Sequence, residues 1–278
     1  METILTAWDV EPSVVAGVVL LGAGYSAALW YGRRRGQAVR WGQVVAFLMS
    51  LAVLLFALIS PLDVVGDTYL LSAHMIQHLL LILVVPPLAL LGLPAWLLRA
   101  VLAMPAFDRL ECLVAQPIVT LLVFTVGVAG WHLPVFYDAA LRDTRVHIVE
   151  HLCFLGVATL FWWSVVAPLP ERDRLSPLGR VLYLLLANLP STVVAAPITF
   201  APAPIYAPYV THGDQLGINR LLQDGWGLTP LVDQQLAGVL MWVPTGLVLV
   251  TVALAIFLQW EQQPTEYTWS DEPAEVAR

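Results

Sequence analysis

Seven long apolar runs, separated by short polar segments, dominate the chain. They lie at about residues 12–32, 41–60, 68–91, 116–132, 145–167, 178–199 and 232–259. An α-helix needs about 20 predominantly apolar residues to cross a bilayer, and the fourth run is the shortest. The pattern predicts an all-α, polytopic membrane protein whose seven transmembrane helices form a single domain over residues 1–259.

Prolines fall inside two of these runs. Because proline lacks a backbone donor and clashes with the preceding turn, Pro86 and Pro87 are predicted to kink or end the third helix. Pro190 and Pro197 likewise predict a broken sixth helix. Irregular backbone is tolerated within a membrane where it faces protein or water.

Composition supports a membrane location and charge gives an orientation. The chain is 59% hydrophobic and only 12% charged, against about 25% charged residues in ordinary soluble domains. Every basic residue is arginine, and the arginines are concentrated in the loops of one side. Because positive loops stay in the cytoplasm, we predict that the N-terminus lies outside and the C-terminus is cytoplasmic.

Residues 200–231 then form a long outer loop, suited to a lid or a docking surface, and residues 260–278 form an acidic, disordered cytoplasmic tail.

Two histidine pairs with helical spacing are the main candidate chemistry. His74 and His78 lie in the third run, and His147 and His151 begin the fifth. Residues four apart share one side of a helix, and the topology puts both pairs in the outer leaflet. Polar groups within a bilayer are costly and therefore indicate function. We interpret the pairs as ligands of a transition metal, with Met75 beside His78 as a thioether ligand.

Four further residues fall at the same level of the predicted bundle, and each has an alternative role. His132 is a ligand or an ordinary residue of the membrane boundary. Met241 is a thioether ligand or core filling. Glu150 is an acceptor that orients a ligating histidine, or it pairs with an arginine at the start of its helix. Asp233 is a similar acceptor, or it favours the dipole of its own helix.

The types of ligating atom restrict the choice of metal without identifying it. Imidazole suits copper, zinc, iron and nickel, and an added thioether shifts the preference toward Cu(I). Copper as Cu(I) or Cu(II) is favoured over zinc.

Cys112 and Cys153 fall toward opposite membrane faces and are predicted to form no disulfide. No phosphate loop, dinucleotide fingerprint or nucleophile elbow is present, so we predict no nucleic-acid binding and no catalytic residue.

Four blocks resemble one bacterial family, the caa3-type cytochrome c oxidase assembly factor CtaG family. They are SAHMIQHLLLILVVPPLALLGLP (72–94), GWHLPVFYDAAL (130–141), HIVEHLCFLGVATLFWW (147–163) and DQQLAGVLMWVP (233–244). The resemblance implies a seven-helix protein of the bacterial cytoplasmic membrane that delivers or inserts copper during oxidase assembly. It implies the copper-binding subunit of the oxidase as partner. Another copper chaperone and a homodimer stay open as further partners.

Three other functions remain as alternatives. The first is a haem-binding electron carrier, in which two facing histidines such as His78 and His151 would be the axial ligands. Three histidines with a carboxylate also suit a seven-helix zinc hydrolase of lipid amides, for which Ser72 is the available outer serine. The last alternative is an assembly scaffold that binds no metal.

Overall fold

Residues 2–262 are described by a computed structural model, and their regular secondary structure is entirely helical, with no strand among them. In chain order the helices are α1 (Glu2–Leu5), α2 (Pro12–Arg34), α3 (Trp41–Ile59), α4 (Pro61–Thr68), α5 (Leu71–Leu79), α6 (Val85–Gly92), α7 (Ala95–Leu102), α8 (Pro105–Val114), α9 (Pro117–Trp131), α10 (Pro134–Arg142), α11 (Thr144–Val166), α12 (Pro177–Phe200), α13 (Pro208–Thr211) and α14 (Pro230–Glu261).

Among residues 2–262, six helical stretches are long and apolar enough to cross a membrane: α2, α3, the stretch from α5 to α6, α11, α12 and α14. The seventh predicted span is α9. It is only 15 residues long, roughly 22 Å at the α-helical rise, and it meets α8 at a bend of 77°. The all-α, polytopic membrane fold is therefore confirmed, with six spans or seven if α8 and α9 count as one. Which face is outside stays a prediction.

The third span continues through its prolines. A π-helical turn at Leu80–Val84 joins α5 to α6, so the helix is locally irregular at this point but does not end. Pro86 cannot donate to the carbonyl of Ile82, four residues earlier. The indole nitrogen of Trp162 donates to that oxygen instead, at 2.8 Å. A neighbouring helix therefore satisfies the carbonyl that the proline leaves free.

The predicted break in the sixth span is wrong, because α12 is one continuous helix with Pro190 and Pro197 inside it. Packing explains its continuity. A Cβ atom on Gly238 of α14 would lie 2.7 Å from the backbone nitrogen of Thr199. Because glycine lets the two helices come this close, α14 supports α12 along the stretch that contains the prolines.

The segments that connect the spans gather into two groups. In one group, α4 and α10 contact the segment between α12 and α14. That segment matches the predicted long loop, and it contains α13 and a second π-helical turn at Leu221–Gly225. In the other group, α7 and α8 pair through arginine and carboxylate side chains with the turn at Pro170–Arg172. The predicted acidic tail begins within the last turn of α14, and its residues from 263 lie outside the described residues.

Candidate metal centre

Helix α5, which carries His74 and His78, is fixed at its start by a carboxylate from α14. Asp233 Oδ2 accepts from the backbone nitrogen of Leu71 at 2.6 Å, and Oδ1 accepts from that of Ser72 at 3.2 Å. The Ser72 hydroxyl also donates to Oδ1. The first backbone donors of a helix have no partner within it, so Asp233 caps α5. Its contacts in the described structure are with this cap and with no histidine.

Three histidines converge beneath this cap. The ligating atoms of His74, His78 and His151 all lie within 4.8 Å of one another, and all three residues are buried. Ring centroids are 4.2 Å apart for His74 and His78, and 5.7 Å apart for His78 and His151. Metal–imidazole bonds of about 2.0–2.1 Å need donors within a few ångströms of one another. We call these three residues the histidine triad.

Asp67, which the sequence did not single out, contacts two of the histidines. Its Oδ1 is hydrogen-bonded to His74 Nδ1 at 3.0 Å, and its Oδ2 lies 3.2 Å from His147 Nδ1. A carboxylate oxygen accepts hydrogen bonds, so His74 donates through Nδ1 and keeps the lone pair of Nε2 free. Carboxylates commonly hold metal-binding histidines in this way. Because Asp67, His74 and His147 also lie within 4.8 Å of one another, the carboxylate itself is placed where it can ligate an ion.

A glycine makes the contact with Asp67 possible. A Cβ atom on Gly66 would lie 2.9 Å from the backbone nitrogen of His74 and 3.0 Å from its Cα. Only a residue without a side chain lets α4 approach α5 this closely. The neighbouring Asp67 thereby reaches the ring of His74.

Glu150 lies inside the wider group of candidate ligands, which we call the histidine cluster. The histidine cluster consists of His74, His78, His132, His147, His151, Asp67, Glu150, Met75 and Met241. It is fully buried, and its Oε1 is 3.9 Å from His78 Nε2. Arg142 pairs with Asp138, and within the described residues neither carboxylate oxygen of Glu150 has a hydrogen-bond partner. The predicted alternative of an ion pair at the helix start is therefore not formed with Arg142. Glu150 faces the cluster as a free carboxylate and is not seen to orient a ring.

The remaining predicted ligands surround a cavity on the side of α5 that faces away from His151. His78 lines a cavity of ≈ 40 Å³ together with Met75, His132 and Met241. His132 Nδ1 lies 2.7 Å from the carbonyl oxygen of Val128, which leaves its Nε2 free. We call the group of Met75, His78, His132 and Met241 the thioether pocket. The predicted ligands thus divide into two groups that share His78.

The segment between α12 and α14 closes the cluster through tyrosines. Tyr206 donates to the backbone oxygen of His132 at 2.8 Å, and Tyr209 donates to that of Gly66 at 2.7 Å. Burial raises the pKa of Tyr209, so its hydroxyl keeps its proton and remains a donor. The ring of Tyr137 lies 5.3 Å from that of His74, and its hydroxyl is 3.0 Å from that of Tyr209.

The geometry also bears on the alternative functions. Pockets for drug-sized ligands enclose about 300–1,000 Å³, so the ≈ 40 Å³ cavity beside His78 is too small for a haem, whereas His151 also lines an apolar cavity of ≈ 360 Å³ between α2, α3 and α11. The Ser72 hydroxyl that a hydrolase would use is bound to Asp233. Cys112 and Cys153 are free cysteines in the described structure.

The fold and the cluster define a helical membrane protein with buried imidazoles and carboxylates where three of its spans and a short connecting helix meet. The family profile described as cytochrome c oxidase caa3 assembly factor (Caa3_CtaG) matches residues 23–263. The chain belongs to this family.

Similarity to curated relatives is more distant. An uncharacterized protein of Mycobacterium bovis, Mb0105, is 26% identical over an alignment 281 residues long, which covers 94% of this chain and 40% of the relative. An uncharacterized protein of Mycobacterium leprae, ML1998, is 24% identical, with 93% and 40% covered. The chain thus spans about two fifths of the length of these relatives. No solved structure matches the chain.

Proposed function

We propose that this protein binds copper at the histidine cluster during assembly of cytochrome c oxidase and passes the ion to the copper-binding subunit of the oxidase. The observation that carries the proposal is a set of buried nitrogen and oxygen atoms that have no hydrogen-bond partner within the described residues and that are of the types that ligate metals. They are His74 Nε2, His78 Nδ1 and Nε2, His132 Nε2, His147 Nε2, His151 Nε2 and both carboxylate oxygens of Glu150. Membership of an oxidase assembly family supplies the context.

The energetic argument favours a cation at this place. A buried polar group without a partner costs about 1–3 kcal/mol, and the unpartnered atoms here are gathered on the two sides of His78. A neutral imidazole carries a proton on only one ring nitrogen, so each histidine offers a lone pair that a nearby cation would stabilise. A bound metal ion offsets these costs together, whereas an apolar core would need no such atoms.

The donor set favours copper. Imidazole nitrogens bind several transition metals, and thioethers add preference for Cu(I). Met75 and Met241 lie beside the imidazoles, and the two cysteines are not among the groups of described residues that could hold a metal. We therefore propose copper as cargo, no catalytic reaction, and a site in the outer half of the bacterial cytoplasmic membrane.

The decisive experiment is elemental analysis of the purified protein in lipid nanodiscs after copper loading. His151→Ala removes one member of the triad, and the matched control is His212→Ala. His212 bonds to Asn219 and to the backbone of Tyr209, and it belongs to neither group of described residues whose atoms are placed to hold a metal. We expect His151→Ala to lower copper content and the yield of active oxidase in cells, and His212→Ala to leave both near wild type.

Two outcomes contradict the proposal. Unchanged copper content in both His78→Ala and His151→Ala excludes this cluster as the copper site. Retention of zinc in place of copper by the wild-type protein excludes copper as the cargo. Membrane insertion of each variant is checked by its yield and its size-exclusion profile.

A further inference from the structure

We propose that the cluster contains a second, separate copper position in the thioether pocket, selective for Cu(I) and bordering the histidine triad at His78. This inference rests on the proposed copper function and refines it. One ion can be bound by Met75, His132 and Met241, while another is bound by the triad side of the cluster.

The number of donors exceeds what one ion can use. A tetrahedral ion takes four ligands, whereas the cluster offers five imidazoles, a free carboxylate and two thioethers. These donors are also not equidistant from one centre. His132 is absent from both groups of described residues whose ligating atoms lie within 4.8 Å of one another, and in the described structure it lines the thioether pocket with His78 but with none of the other cluster imidazoles.

The geometry of α5 separates the two positions. Successive residues advance by about 100° around a helix, so His78 projects about 40° from His74, between the directions of His74 and Met75. The triad side is completed by His151 from α11. The pocket side is completed by residues of α9, α12 and α14, where Met241 belongs to α14. Helix α5 therefore lies between two sets of donors and contributes to both.

His78 is the residue common to both positions. It is 2% exposed, and both its ring nitrogens are buried without a hydrogen-bond partner in the described part of the chain. In His74 and His132 one ring nitrogen is instead hydrogen-bonded to a carboxylate or a carbonyl, and in His147 one ring nitrogen lies 3.2 Å from a carboxylate oxygen. One nitrogen of His78, Nε2, lies on the side of Glu150. If both nitrogens bind copper, the ring proton is released to solvent.

The pocket has the size and the chemistry for an ion. Its volume of ≈ 40 Å³ exceeds the roughly 10–15 Å³ needed for one water. Apart from the two imidazoles and the thioethers, its polar side chains are Ser191 and Thr245, and the Thr245 hydroxyl donates to the carbonyl of Met241. Thioethers with imidazole and no carboxylate favour Cu(I) over divalent ions.

The test is anaerobic loading with Cu(I) alone, in nanodiscs, followed by copper counting and X-ray absorption. We expect wild type to show copper–sulfur scattering. The double variant Met75→Leu/Met241→Leu should lose that signal and one copper ion per chain while keeping nitrogen-ligated copper. His151→Ala should do the reverse and keep the sulfur signal. Leucine replaces methionine with little change of volume, and Met49→Leu, at an exposed site on α3, is the matched control.

The outcomes separate this inference from the broader proposal. Absence of copper from the wild-type protein overturns both. Copper bound only through nitrogen and oxygen, unaffected by Met75→Leu/Met241→Leu, overturns the second position and leaves the triad. Simultaneous loss of all copper in either variant also overturns it, because that result means a single shared site.

Discussion

Replacing Asp67 tests whether this carboxylate sets the orientation of the imidazoles that we propose as copper ligands. One oxygen is hydrogen-bonded to His74 Nδ1 at 3.0 Å, and the other lies 3.2 Å from His147 Nδ1. In Asp67→Asn the amide oxygen can accept from only one imidazole, and the amide nitrogen needs an acceptor from the other. The second histidine would then carry its proton on Nε2, where it can no longer bind a metal. Asp67→Ala removes both contacts.

The expected size of the effect follows from these two contacts. Loss of such an orienting partner typically lowers metal affinity 10- to 100-fold, or about 1.4–2.7 kcal/mol at about 1.36 kcal/mol per factor of ten. Asp67 is 29% exposed, so solvent replaces part of the interaction. We therefore expect about 10-fold weaker copper binding for Asp67→Asn, with one histidine misoriented, and nearer 100-fold for Asp67→Ala.

The measurement is competition with a coloured Cu(I) chelator of known affinity, using protein in nanodiscs without oxygen. Asp63→Asn is the matched control, because Asp63 lies one turn earlier on α4 and bonds to Gln77, not to a histidine. At pH 8, above the raised pKa of Asp63, it also removes most of one negative charge, so measurements at that pH correct for the change in net charge. Equal affinities for Asp67→Ala and Asp63→Asn would refute the orienting role.

Three other substitutions test the structure around the site. Gly66→Ala forces a Cβ to within 2.9 Å of the backbone of His74, so we expect a loss of about 1–3 kcal/mol in stability and weaker copper binding in the same titration. Trp162→Phe leaves the carbonyl of Ile82 without its donor, which should cost about 1–3 kcal/mol and lower the thermal midpoint in detergent; an unchanged midpoint contradicts this. Burial, together with a neighbouring aspartate, raises the pKa of Asp63 from 3.8 to about 7. The metal-free folded protein therefore loses stability as pH rises from about 4 to 7, and Asp63→Asn should raise the thermal midpoint more at pH 8 than at pH 5; an equal gain at both contradicts the shift.

The spans were predictable because their signal is local. Each is a continuous apolar run, and the observed ends fall within three residues of the predicted ones. The helix breaks were not predictable in the same way. Proline lowers the intrinsic stability of a helix, but Trp162 and Gly238 belong to other helices, and their contacts decide how the chain continues at Pro86 and Pro197.

The candidate site was predictable only in part, for a related reason. The i,i+4 spacing and the alternation of spans are enough to bring His74 and His78 toward His151. Asp67 escaped notice because its contact with His74 depends on the tight turn from α4 to α5, which has no signature in the apolar pattern. The division of the ligands into two groups likewise depends on how α9, α12 and α14 pack around α5.

In the proposed function, release of copper requires the closed end of the cluster to open. Several hydrogen bonds hold the connecting segment there: Tyr206 donates to the carbonyl of His132, Tyr209 donates to that of Gly66 and bonds to the hydroxyl of Tyr137, and the backbone nitrogen of Leu216 donates to the hydroxyl of Tyr69. Each contributes about 0.5–1.5 kcal/mol net, so separating these four costs about 2–6 kcal/mol, and the burial of the Tyr206 and Tyr209 rings adds to that cost. A partner that binds the segment in its open position has to supply this free energy from its own interface. We therefore expect transfer to require contact between the receiving subunit and the segment between α12 and α14.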